Sequence, residues 1–149
     1  MIHVREANPE DAFAMGHREA TAKEIAIQSL EDASFTILRD NFPIGMMGFH
    51  MDMPGVYSVW ASFDEKVRGN GVQLTKTVRR VMRTVAAEVK AVRVQLIVDP
   101  DRMEFVRWAR LLGFEVEGYM RLGMAGVKDA ILMAWIPGDE NVIKKAKSS

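Results

Sequence analysis

The sequence contains no cysteine, which excludes a disulfide framework, a thiolate nucleophile and a zinc–thiolate centre. It has no excess charge of either sign: 20 Lys and Arg stand against 20 Asp and Glu, which argues against whole-surface attraction to nucleic acid. No apolar run approaches the ~20 residues that span a bilayer. The opening Met1-Ile2-His3-Val4-Arg5-Glu6 lacks the basic and apolar regions of a signal peptide. Cytoplasmic residence without a membrane partner is the expectation. The histidines His3, His17 and His50 show no metal-ligand spacing, so no metal is expected. Internal repeats and linkers are also missing. The 149 residues, 48% hydrophobic and 27% charged, fit one globular domain spanning 1–149. Such a chain buries about 70% of its unfolded surface. Its eleven methionines read as core filling.

The most informative stretch runs from Tyr57 to Lys90. Tyr57 to Phe63 is β-branched and aromatic, and reads as a strand. Asp64 to Gly71 turns the chain, with Gly69 and Gly71 free to take positive φ or to admit a ligand to the backbone. From Val72 onward, Leu74, Val78, Val81, Val85 and Val89 recur at helical spacing and predict one inward stripe. Lys76, Arg79, Arg80 and Arg83 fall on the opposite face. A strand feeding a glycine turn into a helix N-terminus points unpaired N–H groups and the positive dipole end at one place, which suits phosphate. Between Lys66 and Arg93 eight basic residues face a single acid, Glu88, and that local field favours a polyanion. A solvated helix face is the plainer alternative.

In chain order, Ile2–Glu6 alternates as a half-buried strand does. Asn8-Pro9-Glu10-Asp11 carries helix-start chemistry, and Gly16 divides the helical region that follows. Ser34–Asp40 and Pro43–Met51 read as strands joined by a turn at Asn41-Phe42-Pro43. Gly45 and Gly48 mark a bulge or a close backbone approach. After the long helix come a strand at Val92–Val98, a helix that stops at Gly113, and strands at Phe114–Met120 and Ala130–Ile136. The pattern is α+β, and Lys144–Ser149 reads as a frayed tail.

This order of elements, together with Arg68-Gly69-Asn70-Gly71 and Arg110-Leu111-Leu112-Gly113-Phe114-Glu115, resembles the GNAT acyltransferase superfamily over nearly the whole chain. A weaker likeness is to small GNAT-like proteins of tailed phages. The resemblance implies a three-layer fold: a mixed, mostly antiparallel sheet of about seven strands flanked by helices. It implies acetyl-coenzyme A as acyl donor, its pyrophosphate held by backbone amides of the glycine turn. The cofactor-binding residues it implies are Ser62, Phe63, Arg68, Gly69, Asn70, Gly71, Val72, Gln73 and Arg102.

Three positions depart from the family pattern. Gln73 stands for the second glycine of the turn, Arg102 for an asparagine that touches the pantetheine arm, and Ala109 for the tyrosine often used as general acid. A proton-handling group must then come from elsewhere, with His50 and Tyr119 named as catalytic candidates beside Tyr57, Glu19 and Glu24. The expected partners are an amine-bearing small molecule or protein, and a homodimer is left open. The alternative function is a non-catalytic module that binds a protein partner or assembly. Nucleic-acid binding through Arg79, Arg80 and Arg83 ranks last, because no aromatics interleave with the basic residues.

Overall fold

The computed structural model of the protein describes residues 1–31, 33–64 and 71–138. Among the described residues, seven strands and four helices follow one another: β1 (Ile2–Glu6), α1 (Asp11–Ala14), α2 (Glu19–Glu31), β2 (Ala33–Arg39), β3 (Phe42–Met53), β4 (Val56–Phe63), α3 (Gly71–Glu88), β5 (Arg93–Val98), α4 (Met103–Leu112), β6 (Glu115–Met124) and β7 (Lys128–Trp135). The strands form one mixed sheet in the order β1-β2-β3-β4-β5-β7-β6. The pairs β1–β2, β2–β3, β5–β7 and β6–β7 are antiparallel, and β4–β5 is parallel, its ladder covering Val56↔Arg93, Tyr57↔Val94 and Ser58↔Gln95. The fold is the α+β arrangement expected.

The chain divides into two compact units, Met1–Met51 with Val59–Val81, and Asp52–Ser58 with Met82–Ser149. In the first, Ala12, Met15, Ala22, Ile25 and Met46 form a buried cluster, with Ala7, Ala26 and Trp60 packed against it. Gly16 does divide the helical region, since α1 ends at Ala14 and α2 begins at Glu19. Residues 44–49 of β3 are buried without alternation, as in a strand covered on both faces. In the second unit, Phe114 meets Trp135 edge-on at a centroid distance of 6.4 Å. Gly113 closes α4 at φ 110°, its N–H donating back to the Arg110 carbonyl.

Two local expectations are corrected. The β2–β3 turn lies at Asp40-Asn41 (φ 49° and 68°) rather than at Asn41-Phe42-Pro43. Asp and Asn tolerate the left-handed region, and a two-residue turn of that hand matches strand twist. Phe42 thereby opens β3 and pairs with Arg39. On α3 the buried line is Leu74, Val78, Met82 and Ala86, with Thr77, while Val81 and Val85 are only partly buried. The helix buries a ridge of residues four apart, which winds around its axis, instead of the straight stripe the valines suggest. Lys144–Ser149 lies outside the described residues.

Candidate active site

The candidate site is built from the first unit, where β4 ends, α3 begins and the α1–α2 connection passes. Strand geometry sends alternate side chains to opposite faces. On one face of β4, Trp60 joins the cluster of α1 and α2 and lies across Gly48, where an added Cβ would come 2.3 Å from Trp60 Nε1. On the other, Phe63 lies across Gly45, where a Cβ would come 2.5 Å from its ring. These are the close approaches that the two glycines suggested. A register shift between Ile37 and Leu38, beside the Ile37↔Gly45 pair, adds a bulge next to Gly45.

Ser62 shares the face of Trp60 and so looks toward the α1–α2 connection. There the His17 N–H donates to the Met15 carbonyl at 2.7 Å, with Met15 anchored in the buried cluster. That turn places His17 Nε2 3.0 Å from Ser62 Oγ, both residues half-buried. Asp64, next on this face, brings Oδ1 to 3.5 Å from where a Cβ on Gly16 would stand. The Asp64 N–H donates to the Ile44 carbonyl at 2.9 Å. A histidine, a serine hydroxyl and a carboxylate therefore line one end of β4. In the sequence His17 reads as one of the polar residues after Asp11 that face water or a substrate cleft, and its partner, 45 residues away, leaves no local sign. The available signal was the even spacing of Trp60, Ser62 and Asp64.

The anion site expected at the glycine turn begins, among the described residues, at α3. Gly71, Val72 and Gln73 are exposed, and the first turn holds no acidic residue. An α-helix leaves its first N–H groups unpaired. A Cβ on Gly71 would meet nothing within 4 Å. Of the two possibilities read for Gly71, positive φ is not used: it opens the helix, and among the described residues the glycines with positive φ are Gly55, Gly113 and Gly126. Arg68, Gly69 and Asn70 lie outside the described residues.

The other candidate positions are scattered. His50 is exposed near the far part of β3. Tyr119 and Arg102 belong to the second unit, as do Tyr57 and Arg93. Tyr119 is 72% exposed on β6. Arg102 precedes α4, paired with Glu104 at 3.0 Å and lying over the Phe105 ring at 4.7 Å. The Tyr57 hydroxyl donates to the Val89 carbonyl at 3.4 Å, and Glu19 pairs with Lys23 at 3.2 Å. Of the basic residues, Lys76, Arg79 and Arg80 are exposed, whereas Arg93 is held by Glu117 at 3.0 Å. That bond holds the Glu117 carboxyl below its usual range. Ala109, at the family's tyrosine position, is buried in the second unit.

No family model and no curated protein sequence matches the chain. Solved structures do. It is similar to a GNAT-family acetyltransferase from Bacillus anthracis at 15% identity and a TM-score of 0.74, covering 92% of this chain and 95% of that one. A ribosomal-protein alanine acetyltransferase from Vibrio fischeri matches at 16% identity and a TM-score of 0.73, covering 93% and 94%. A spermidine N-acetyltransferase chimera from Vibrio cholerae matches at 12% identity and a TM-score of 0.71, covering 93% and 96%. The chain therefore has the GNAT acetyltransferase fold, as its sequence resemblance implied.

Proposed function

We propose that the chain is an acyl-coenzyme A-dependent N-acyltransferase, a single cytoplasmic domain of residues 1–149 that passes an acetyl group to an amine. The observation that carries this reading is the start of α3 in a GNAT fold: exposed Gly71, Val72 and Gln73, whose helix-start amides have no partner within the helix, no acid in the first turn, and nothing within 4 Å of a Cβ on Gly71. Those amides, with Arg68, Gly69 and Asn70 before them, would hold the pyrophosphate, and the exposed Lys76, Arg79 and Arg80 would add a positive field. Ser62 and Phe63 end the strand that leads into the turn. Acetyl-coenzyme A supplies the thioester. The protein's part is to bind it, to present a neutral amine and to receive the displaced proton.

The acceptor is a primary amine of a small molecule or of a protein chain. Both kinds occur among the similar structures, whose names specify spermidine and a ribosomal-protein alanine. A specific observation favours a second reading, a non-catalytic partner-binding module: position 109 is a buried alanine that offers no proton.

The test is to incubate the protein with acetyl-coenzyme A and a panel of polyamines and N-terminal peptides. Free thiol and acetylated product are measured together. Turnover supports the enzyme; coenzyme A binding without turnover on any amine supports the module. Substituting His50→Ala and Tyr119→Phe in an active protein tests the two acid–base candidates, each expected to cost about a hundredfold in kcat if it transfers the proton.

A further inference from the structure

The geometry points to His17 as the group that takes the proton from the acceptor amine, with Ser62 holding its ring in the reactive tautomer. This rests on the acyltransferase reading and adds the residue that prepares the nucleophile. Four observations carry it. The pair lies at the end of β4, in the same compact unit as the start of α3. The ring is half-buried and makes its hydrogen bond through Nε2, to the Ser62 hydroxyl at 3.0 Å. Among the described residues, the Ser62 hydroxyl is the one side chain that bonds the His17 ring. Finally, Asp64 brings a carboxylate to the adjacent Gly16, where it would attract an approaching ammonium.

A neutral imidazole carries its proton on one nitrogen and a lone pair on the other, and the Ser62 hydroxyl can pair with Nε2 in either form. With Nε2–H donating to Ser62 Oγ, the Nδ1 lone pair accepts a proton from R–NH3⁺ and leaves R–NH2. The amine nitrogen attacks the thioester carbonyl, the C–N bond forms and the C–S bond breaks. The departing thiolate takes the second amine proton and becomes the free thiol. His17 returns its proton to water, so the net products are the amide, the thiol and one proton. Among the described residues, its charged chain neighbours Arg18 and Glu19 are both exposed, and Glu19 is paired with Lys23. Asp64 is the carboxylate that reaches this connection from β4.

Two measurements test the assignment. In the first, kcat/KM for acetyl transfer to the best amine is followed against pH. Wild type shows an acid limb; His17→Gln loses the limb and about a hundredfold in rate while binding coenzyme A as before. Ser62→Ala loses less and displaces the limb, and Ser62→Thr, which keeps the hydroxyl, restores it. A merely structural role would leave the limb in place. In the second, long-range ¹H–¹⁵N spectra of the unliganded wild type read the His17 tautomer directly, with no dependence on activity or on the variants folding. The proton is expected on Nε2, with the Nδ1–H form rising in Ser62→Ala. A wild-type ring protonated on Nδ1, or an acid limb that survives in His17→Gln, overturns the assignment and leaves the acyltransferase reading intact. A wild type inert toward every amine overturns both.

Discussion

At the residue scale the most consequential contact outside the site is one carboxylate. Asp11 was legible as an acid suited to a first helical turn. What it does is tie three elements together: it accepts two bonds from Arg5 of β1 at 2.7 and 2.9 Å, one from Thr36 of β2 at 2.7 Å and one from the Asn8 amide at 3.2 Å. Burial alone would raise its pKa, but the bonds from Arg5, Thr36 and Asn8 outweigh it and hold the group below its ordinary value. A carboxylate lowered in the folded state contributes stability that is full above the unfolded value, about 3.9, and fades as pH falls through the folded one. Asp11→Asn is therefore expected to cost about 1–3 kcal/mol near neutral pH, because Arg5 and Thr36 lose an ionised acceptor. The gap to wild type should narrow below pH 4, which denaturant titrations at pH 7 and pH 3 will show. An equal loss at both pH values would assign Asp11 a packing role. Neither this clamp nor the His17–Ser62 pair was legible in the sequence, since hydrogen bonds spanning 25 and 45 residues leave no local pattern.

At the element scale, what periodicity and turn chemistry specify was legible. β1 has the residues expected for it, α4 ends at its glycine, and the α1–α2 break falls around Gly16. The misplaced features depended on contacts. Helical spacing marked the α3 stripe, and Leu74 and Val78 are buried as expected, yet beyond them Met82 and Ala86 are buried in place of Val81 and Val85, which a tertiary surface selects. Gly45 and Gly48 were read as marking a bulge or a close approach, but which rings they admit, Phe63 and Trp60, required the placement of β4 side chains in the structure. That placement gives a paired expectation. Gly48→Ala would set a Cβ 2.7 Å from Ser34 Oγ as well as against the Trp60 indole, and should cost about 1–3 kcal/mol through overpacking. Gly118→Ala on β6 meets nothing within 4 Å and should leave stability within about 0.5 kcal/mol. Thermal melts of the two variants decide it. Equal effects would mean that backbone freedom, not space, is what strand glycines provide here.

At the scale of the whole molecule, the succession of elements identified the fold at 12–16% identity to the similar structures compared here, where residue matching alone has little to hold. The fold was legible because it is written in the order and spacing of elements; the site was less so, because it depends on loops and on pairs far apart in the chain. Fold does not fix function, so ligand binding must carry the decision. If residues 1–149 act as one domain, heat should unfold the protein in a single calorimetric transition. Coenzyme A at a hundredfold excess over its dissociation constant should then stabilise it by about 2.7 kcal/mol. That corresponds to a rise in Tm of roughly 5–10 °C for a domain of this size. Gly71→Val should abolish the shift with little change in the unliganded Tm: the position is helical without positive φ, and a side chain there enters open space. The substitution thus removes the ligand's room without straining the backbone. Arg80→Ala should reduce the shift by a smaller amount that disappears at high salt, as an exposed charge contact does. A Gly71→Val protein that still shifts fully would place the pyrophosphate elsewhere and remove the main support for the acyltransferase reading. Two separate transitions, with coenzyme A moving only one, would instead divide the chain between a unit that binds the donor and one that folds without it.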